Sequence, residues 1–178
     1  HQPLEGAVAF YEAHVCSEEG WNVLGANFPG APCILHGCNE NLGWAHTVNN
    51  PYKLDIYQLE INPSNKLQYR FDGKWETLEE KNAALKVKIS GLRIKANKKV
   101  YWSKYGATMK NKQGFFSIRL GANMKIGALD QWYQMTKAKN FTQFYTALSK
   151  QELSMFNIMY ADKYDTVFYI NNALMPVR

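Results

Sequence analysis

Through most of the first two-thirds of the chain, apolar and polar residues alternate with a period of two. That is the spacing of strands with one dry and one wet face. Leu85-Lys86-Val87-Lys88-Ile89 is the clearest run. The pattern predicts strands over 7–14, 21–26, 33–37, 43–48, 55–61, 67–71, 84–89, 92–96, 101–103 and 115–119. Turn-forming clusters separate them: Phe28-Pro29-Gly30, Asn39-Glu40-Asn41, Asn62-Pro63-Ser64-Asn65, Asp72-Gly73-Lys74 and Ser90-Gly91. Such spacing is that of successive antiparallel hairpins. The period then changes. Leu129, Trp132, Tyr133 and Thr136 share one helical face. Phe141, Phe144, Tyr145 and Leu148 recur at helical spacing behind Asn140, which suits an N-cap. Two strands follow, 154–161 and 166–170, joined by Asp162-Lys163-Tyr164-Asp165. Strands, then a helical pair, then strands predict an α+β layered domain, with no internal repeat or linker.

Composition narrows the class. With 178 residues, 46% of them hydrophobic and 14% aromatic, the chain can bury one real core. The net charge of +6 comes from lysines concentrated between Lys81 and Lys112. Their alternation places them on the wet face of strands, and no nucleic-acid motif accompanies them, so no nucleic-acid partner is expected. No apolar run approaches a membrane span, and no membrane partner is expected either. The three cysteines, Cys16, Cys33 and Cys38, make a poor disulfide framework. If 33–38 is one strand, His36 and Cys38 share a face and Cys33 takes the other. No second ligand pair has structural-zinc spacing, so the cysteines read as buried small hydrophobes.

Chemistry centres on Gly43-Trp44-Ala45-His46-Thr47-Val48-Asn49-Asn50, a strand cut off by Pro51. Asn39, His46, Thr47, Asn49, Asn50 and Asp55 are its polar candidates. A serine triad would need a nucleophile elbow, and G-x-S-x-G is absent. Ser17, Ser103, Ser117 and Ser154 carry no motif. His14 and His46 could serve as a base, but a lone histidine in a strand is more often a satisfied structural residue. Neither glycine-containing stretch has phosphate-loop or dinucleotide spacing. The residues alone describe an α+β domain with a polar strand end.

The order of these pieces resembles the β-chain of the penicillin acylase family, the N-terminal nucleophile amidohydrolases. Residues 25–61 carry the family's Pro-Gly turn, short strand, Gly-x-Asn, Gly-Trp, Thr-containing strand and Asp-Ile-Tyr strand. Ala45-His46-Thr47-Val48 is particularly similar to the acyl-homoserine-lactone and aculeacin acylase branch. Residues 131–148 resemble the family's helical pair, and 156–178 its closing hairpin. The likeness spans nearly the whole chain in the right order.

The resemblance implies a segment, 1–178, of a β-chain incomplete at both ends, with an αββα sandwich as the parental fold. It implies hydrolysis of an acyl-amide bond by a serine heading the β-chain, exposed by self-cleavage and lying upstream of His1. The segment alone, lacking that serine, would be inactive. Val48 matches the position whose backbone N–H serves the oxyanion hole. Gln2 matches a position close to the nucleophile. His46 and Asn49 would flank the acyl pocket, with Thr47 supporting. Trp44, Asn39, Asn157, Tyr160, Asp162 and Arg178 match positions of architectural kind. Some relatives bind calcium after the oxyanion strand. Here only Asp55 matches, beside Tyr52 and Lys53, so no metal and no cofactor are expected. The turn at Lys163-Tyr164-Asp165-Thr166 departs from the family's usual Gly. The second oxyanion donor, an asparagine, would lie beyond this chain. The implied partners are the α-chain, the rest of the β-chain and a small acyl-amide substrate. The implied location is periplasmic or secreted. Exposed strand edges would favour self-association of the isolated segment. The rival is a non-catalytic β-rich module with an aromatic groove for carbohydrate or peptide, or a scaffold homologue without nucleophile.

Overall fold

The computed structural model describes residues 5–6, 8–122, 125–153 and 155–176. The first strands are β1 (Tyr11–Ser17), β2 (Trp21–Asn27), β3 (His36–Cys38) and β4 (Leu42–Val48). Eight more follow: β5 (Leu54–Gln58), β6 (Ile61–Asn62), β7 (Asn65–Phe71), β8 (Lys74–Thr77), β9 (Glu79–Ile89), β10 (Leu92–Ser103), β11 (Gly106–Asn111) and β12 (Gly114–Leu120). Helices α1 (Ala128–Lys137) and α2 (Phe141–Leu148) precede β13 (Met155–Asp162) and β14 (Val167–Ala173). All recorded pairings are antiparallel, and the class is α+β as expected. The chain forms two compact units, His1–Lys53 with Met124–Met175, and Leu54–Asn123 with Pro176–Arg178.

The first unit is a six-stranded sheet in the order β1-β2-β3-β4-β13-β14. Leu42, Trp44, Ile158, Tyr160 and Val23 project from one face onto Met135, Ala138, Phe144, Ala147 and Leu148 of the helical pair. Burying that many large side chains is the main stabilisation of the unit. At the crossing of β2 and β3, Gly25 and Gly37 lie so close that a Cβ on either would overlap the backbone of the other strand. The second unit holds a five-stranded sheet, β5-β12-β11-β10-β9, and a three-stranded one, β6-β7-β8. Its small core is Leu59, Tyr69, Leu78 and Phe115.

Asn140 caps α2 as expected, its Oδ1 accepting from Gln143 N at 3.0 Å. At Asp72-Gly73 and Ser90-Gly91 both central residues have positive φ, which matches the twist of the strands they join. In the last hairpin Asp165 takes a φ of 66°, and Asp162 Oδ1 accepts from the N–H groups of Tyr164 and Thr166. An aspartate-built turn thus stands where the family pattern has Gly.

Several expectations are corrected. The first strand runs Tyr11–Ser17, later than expected, because the turn at Gly20 sets its register on β2 and Tyr11 already pairs with Asn27, the last residue of β2. Residues 33–35 are buried, but the strand begins only at His36: Leu35 N still bonds to Ala26 O, while Leu35 O is taken by the Trp44 indole N–H instead of a neighbouring strand. Strands 92–96 and 101–103 are one strand, because Asn97–Lys99 pair with Asn82–Ala84 despite breaking the apolar alternation. β8 and β11 were not expected, as neither short segment alternates. The α1 face differs too. Leu129 is exposed and Gln131 is fully buried, because Gln131 Oε1 accepts from the N–H groups of Glu152 and Leu153. Of the cysteines only Cys33 is buried. Cys16 and Cys38 are exposed.

Candidate functional site at the end of strand β4

Pro51 cannot donate to a ladder and forces the residue before it out of helix, so β4 has to stop just after Val48. Hydrogen-bond phase then decides which backbone groups are left over. Asn41 O accepts from Lys163 N, and Asn39 N donates to Leu42 O. In an antiparallel ladder bonded pairs recur at every second residue. Odd-numbered residues of β4 therefore bond to β13, and even-numbered ones face β3. β3 begins only at His36. The backbone N–H of His46 accordingly donates to the His36 ring, Nδ1 at 3.0 Å, rather than to a carbonyl. Val48 faces the same side two residues further on, beyond the reach of β3, which leaves its N–H off the ladder. Its side chain is exposed.

Beside it lies a cavity of about 440 Å³ lined by Phe10, Phe28, His36, His46, Thr47, Val48 and Phe156. His46 is buried in the wall. Trp132 Nε1–H donates to its Nε2 at 2.9 Å, so Nε2 is the bare nitrogen and Nδ1 carries the proton. That Nδ1 has no partner among the described residues. Burial, and secondarily the neighbouring His36, push the His46 pKa down to about 3, so the ring is neutral at ordinary pH. Burial lowers the His36 pKa as well. Because His36 Nδ1 accepts from His46 N, its single proton sits on Nε2. The two imidazoles meet edge to face at 5.4 Å, and Phe10 braces His36 at 5.1 Å.

Sequence candidates fall into three groups here. Val48, Thr47 and His46 come together at the cavity, with Thr47 Oγ1 accepting from Asn157 Nδ2 at 3.1 Å. Asn49 instead turns into β14. Its amide donates to Asn171 Oδ1 and Asn172 O, and its backbone carbonyl accepts from Lys53 Nζ. Asp55 lies on β5 in the other unit, in register with Arg119. Gln2 and Arg178 fall outside the described residues. Among the described residues no three His, Cys, Asp or Glu side chains gather as a metal site.

Sequence reasoning did not bring His36, Phe10, Phe28, Phe156 and Trp132 to this site: His36 was weighed only beside the cysteines as a metal ligand, and Trp132 only as part of a helical face. They come from five separate places in the chain, and no local spacing joins them. The one available signal was His36 itself, a histidine ten residues before His46 across the β3–β4 hairpin.

Comparisons with known proteins place this geometry in context. The model of the penicillin amidase family matches residues 1–178. The acyl-homoserine lactone acylase PvdQ of Pseudomonas syringae pv. tomato is 28% identical over 99% of this chain and 24% of its own length. Aculeacin-A acylase of Actinoplanes utahensis is 24% identical over 99% of this chain and 23% of its own. The structure of a thermostable penicillin G acylase from Alcaligenes faecalis superposes with a TM-score of 0.78, 26% identity, and coverage of 92% of this chain and 30% of that one. The chain thus spans about a quarter of the length of these curated relatives. A family model matched from end to end, together with that shared fold, establishes that the chain belongs to the penicillin amidase family.

Proposed function

We propose that residues 1–178 are part of the catalytic β-chain of an acylase that hydrolyses the amide bond between an acyl group and an amine. One observation carries the reading. Val48 presents a backbone N–H off the ladder, beside a cavity walled by three phenylalanines. A donor fixed by the strand needs little reorganisation when the scissile carbonyl oxygen becomes negative. The aromatic walls suit the apolar part of the acyl group. Relatives named as acylases support the same class of reaction.

In this reading a serine upstream of His1 heads the mature chain. Its own amino group takes the hydroxyl proton as the oxygen attacks the carbonyl. The tetrahedral intermediate collapses to an acyl-enzyme, the amine leaves with that proton, and water then releases the carboxylic acid. His46 is too buried and too weakly basic for the proton transfer, so it serves as wall. Asn49 holds the strand end in place by clasping β14.

The test uses the protein expressed from its complete gene, by intact mass, N-terminal sequencing and amine release from acyl amides. The expected result is two chains, a serine heading the one that contains residues 1–178, and activity lost when that terminal amine is blocked. A single uncleaved chain with no serine at the junction would overturn the enzyme reading in favour of a groove-binding module or scaffold.

A further inference from the structure

We infer that His36 is a specificity-determining residue of this cavity, selecting acyl groups that carry a hydroxyl or keto oxygen a few carbons beyond the scissile carbonyl. The inference rests on the acylase reading for its substrate and on separate observations for its residue.

The cavity wall is formed largely by Phe10, Phe28, Val48 and Phe156. Its other polar side chains offer less: His46 Nε2 accepts from Trp132 and the protonated His46 Nδ1 is sealed from solvent, while the Thr47 hydroxyl, which accepts from Asn157, is a rotating donor rather than a fixed one. His36 differs. Its Nδ1 is held by the His46 backbone N–H, which forces the proton onto Nε2, and no described residue accepts from Nε2. Nor is Nε2 among the sealed, partnerless atoms of the interior. The ring is held on both sides, by Phe10 and by His46. A directional donor with a fixed tautomer therefore stands in a largely aromatic wall.

Such a donor discriminates. An unsubstituted alkyl chain filling the cavity displaces water from Nε2 and leaves that N–H without an acceptor. A chain with an oxygen at the right place restores the bond. Polar sites reject analogues lacking the matching group far more strongly than apolar sites reject an extra methylene. His46 N, which anchors His36, and Val48 N lie on the same edge of β4 two residues apart, roughly 7 Å. The oxygen that meets Nε2 therefore belongs to the part of the acyl chain near the scissile carbonyl, and a series of positional isomers locates it.

The experiment compares kcat/KM of the matured protein for straight-chain alkanoyl amides and their 3-, 4- and 5-hydroxy counterparts. Ratios are taken within one preparation, so the fraction of folded enzyme cancels. The expected result is a preference of about tenfold or more for one hydroxylated isomer, expressed mainly in KM. His36→Asn offers an acceptor to His46 N but no donor at the Nε2 position, and its ratio falls towards one. His36→Gln, whose amide reaches that position, keeps the preference. A purely structural His36 would lower both substrates together and leave the ratio unchanged in His36→Asn, which overturns the inference. So does a wild-type protein that cleaves both classes without preference. Calorimetric binding of the matching hydroxy and plain carboxylic acids separates the two failures. If no amide is cleaved but hydroxy acids bind more tightly through His36, the acylase reading falls and the role of His36 stands.

Discussion

In β4, Leu42, Trp44 and His46 alternate with lesser-buried residues and all three are inside the protein. In β9, Leu85, Val87 and Ile89 alternate just as regularly with lysines, and all three are exposed. Leu92 and Ile94 on β10 extend the same bare apolar face. On the other face Lys86 lies directly opposite Lys95, and Lys88 opposite Arg93. The two strands read alike because alternation specifies which side of a strand is fit to be dry. It does not supply the layer that makes it dry. Strand β4 has α1 and α2 over its apolar side. The β9–β10 ribbon has no covering layer among the described residues.

Three substitution experiments turn this contrast into numbers. Phe144, fully buried under the sheet, is expected to cost about 3–5 kcal/mol as Phe144→Ala, whereas Val87→Ala on the ribbon should stay within about 0.5 kcal/mol. Urea denaturation followed by circular dichroism measures both, and comparable losses would mean that the ribbon is packed after all.

Protonation probes the same buried side. His46 takes up its proton near pH 6.5 when unfolded but only near 3 when folded. The unfolded chain binds more protons across that window, so stability falls as pH is lowered from 6.5 towards 3 and is flat in this residue above it. The slope attributable to His46 approaches about 1.4 kcal/mol per pH unit. Carboxylates such as Asp130 and Asp162, whose pKa values are lowered, add losses of the same sign. The difference between wild type and His46→Gln isolates the histidine. Parallel curves for the two would show that the ring is solvated.

The smallest effect belongs to the ribbon. Lys95→Glu places opposite charges across from one another at Lys86 and should stabilise the hairpin by about 0.2–1 kcal/mol at low salt, fading as salt is added. Thermal unfolding at two ionic strengths reads it out, and a loss of stability would mean that position 95 faces an acidic partner instead.

Much of the architecture could be read directly. Asn140 announced the start of α2, and the Asp-Gly and Ser-Gly pairs announced two tight hairpins, because caps and turns are decided by one or two residues. Gln131 was invisible because a glutamine on a helix gives no hint that its carbonyl will pin a later segment. In the site, His46 stood out through its strand, and Val48 only through the family resemblance. The place of His36 in the wall could not be read, since it depends on β3 beginning where it does and on His46 lending it a backbone N–H.

By itself the sequence determined most of the strands, both helices, the abrupt end of β4 and the family to which the chain belongs. These follow from period, turn chemistry and ordered motifs, all local along the chain. Tertiary structure alone decided that the even-numbered N–H groups of β4 face the short strand, that Phe10, Phe28 and Phe156 converge beside Val48, and that His36 and His46 each hold one tautomer. Hydrogen-bond phase between strands and the meeting of distant side chains are pairwise properties, which no single stretch of residues contains.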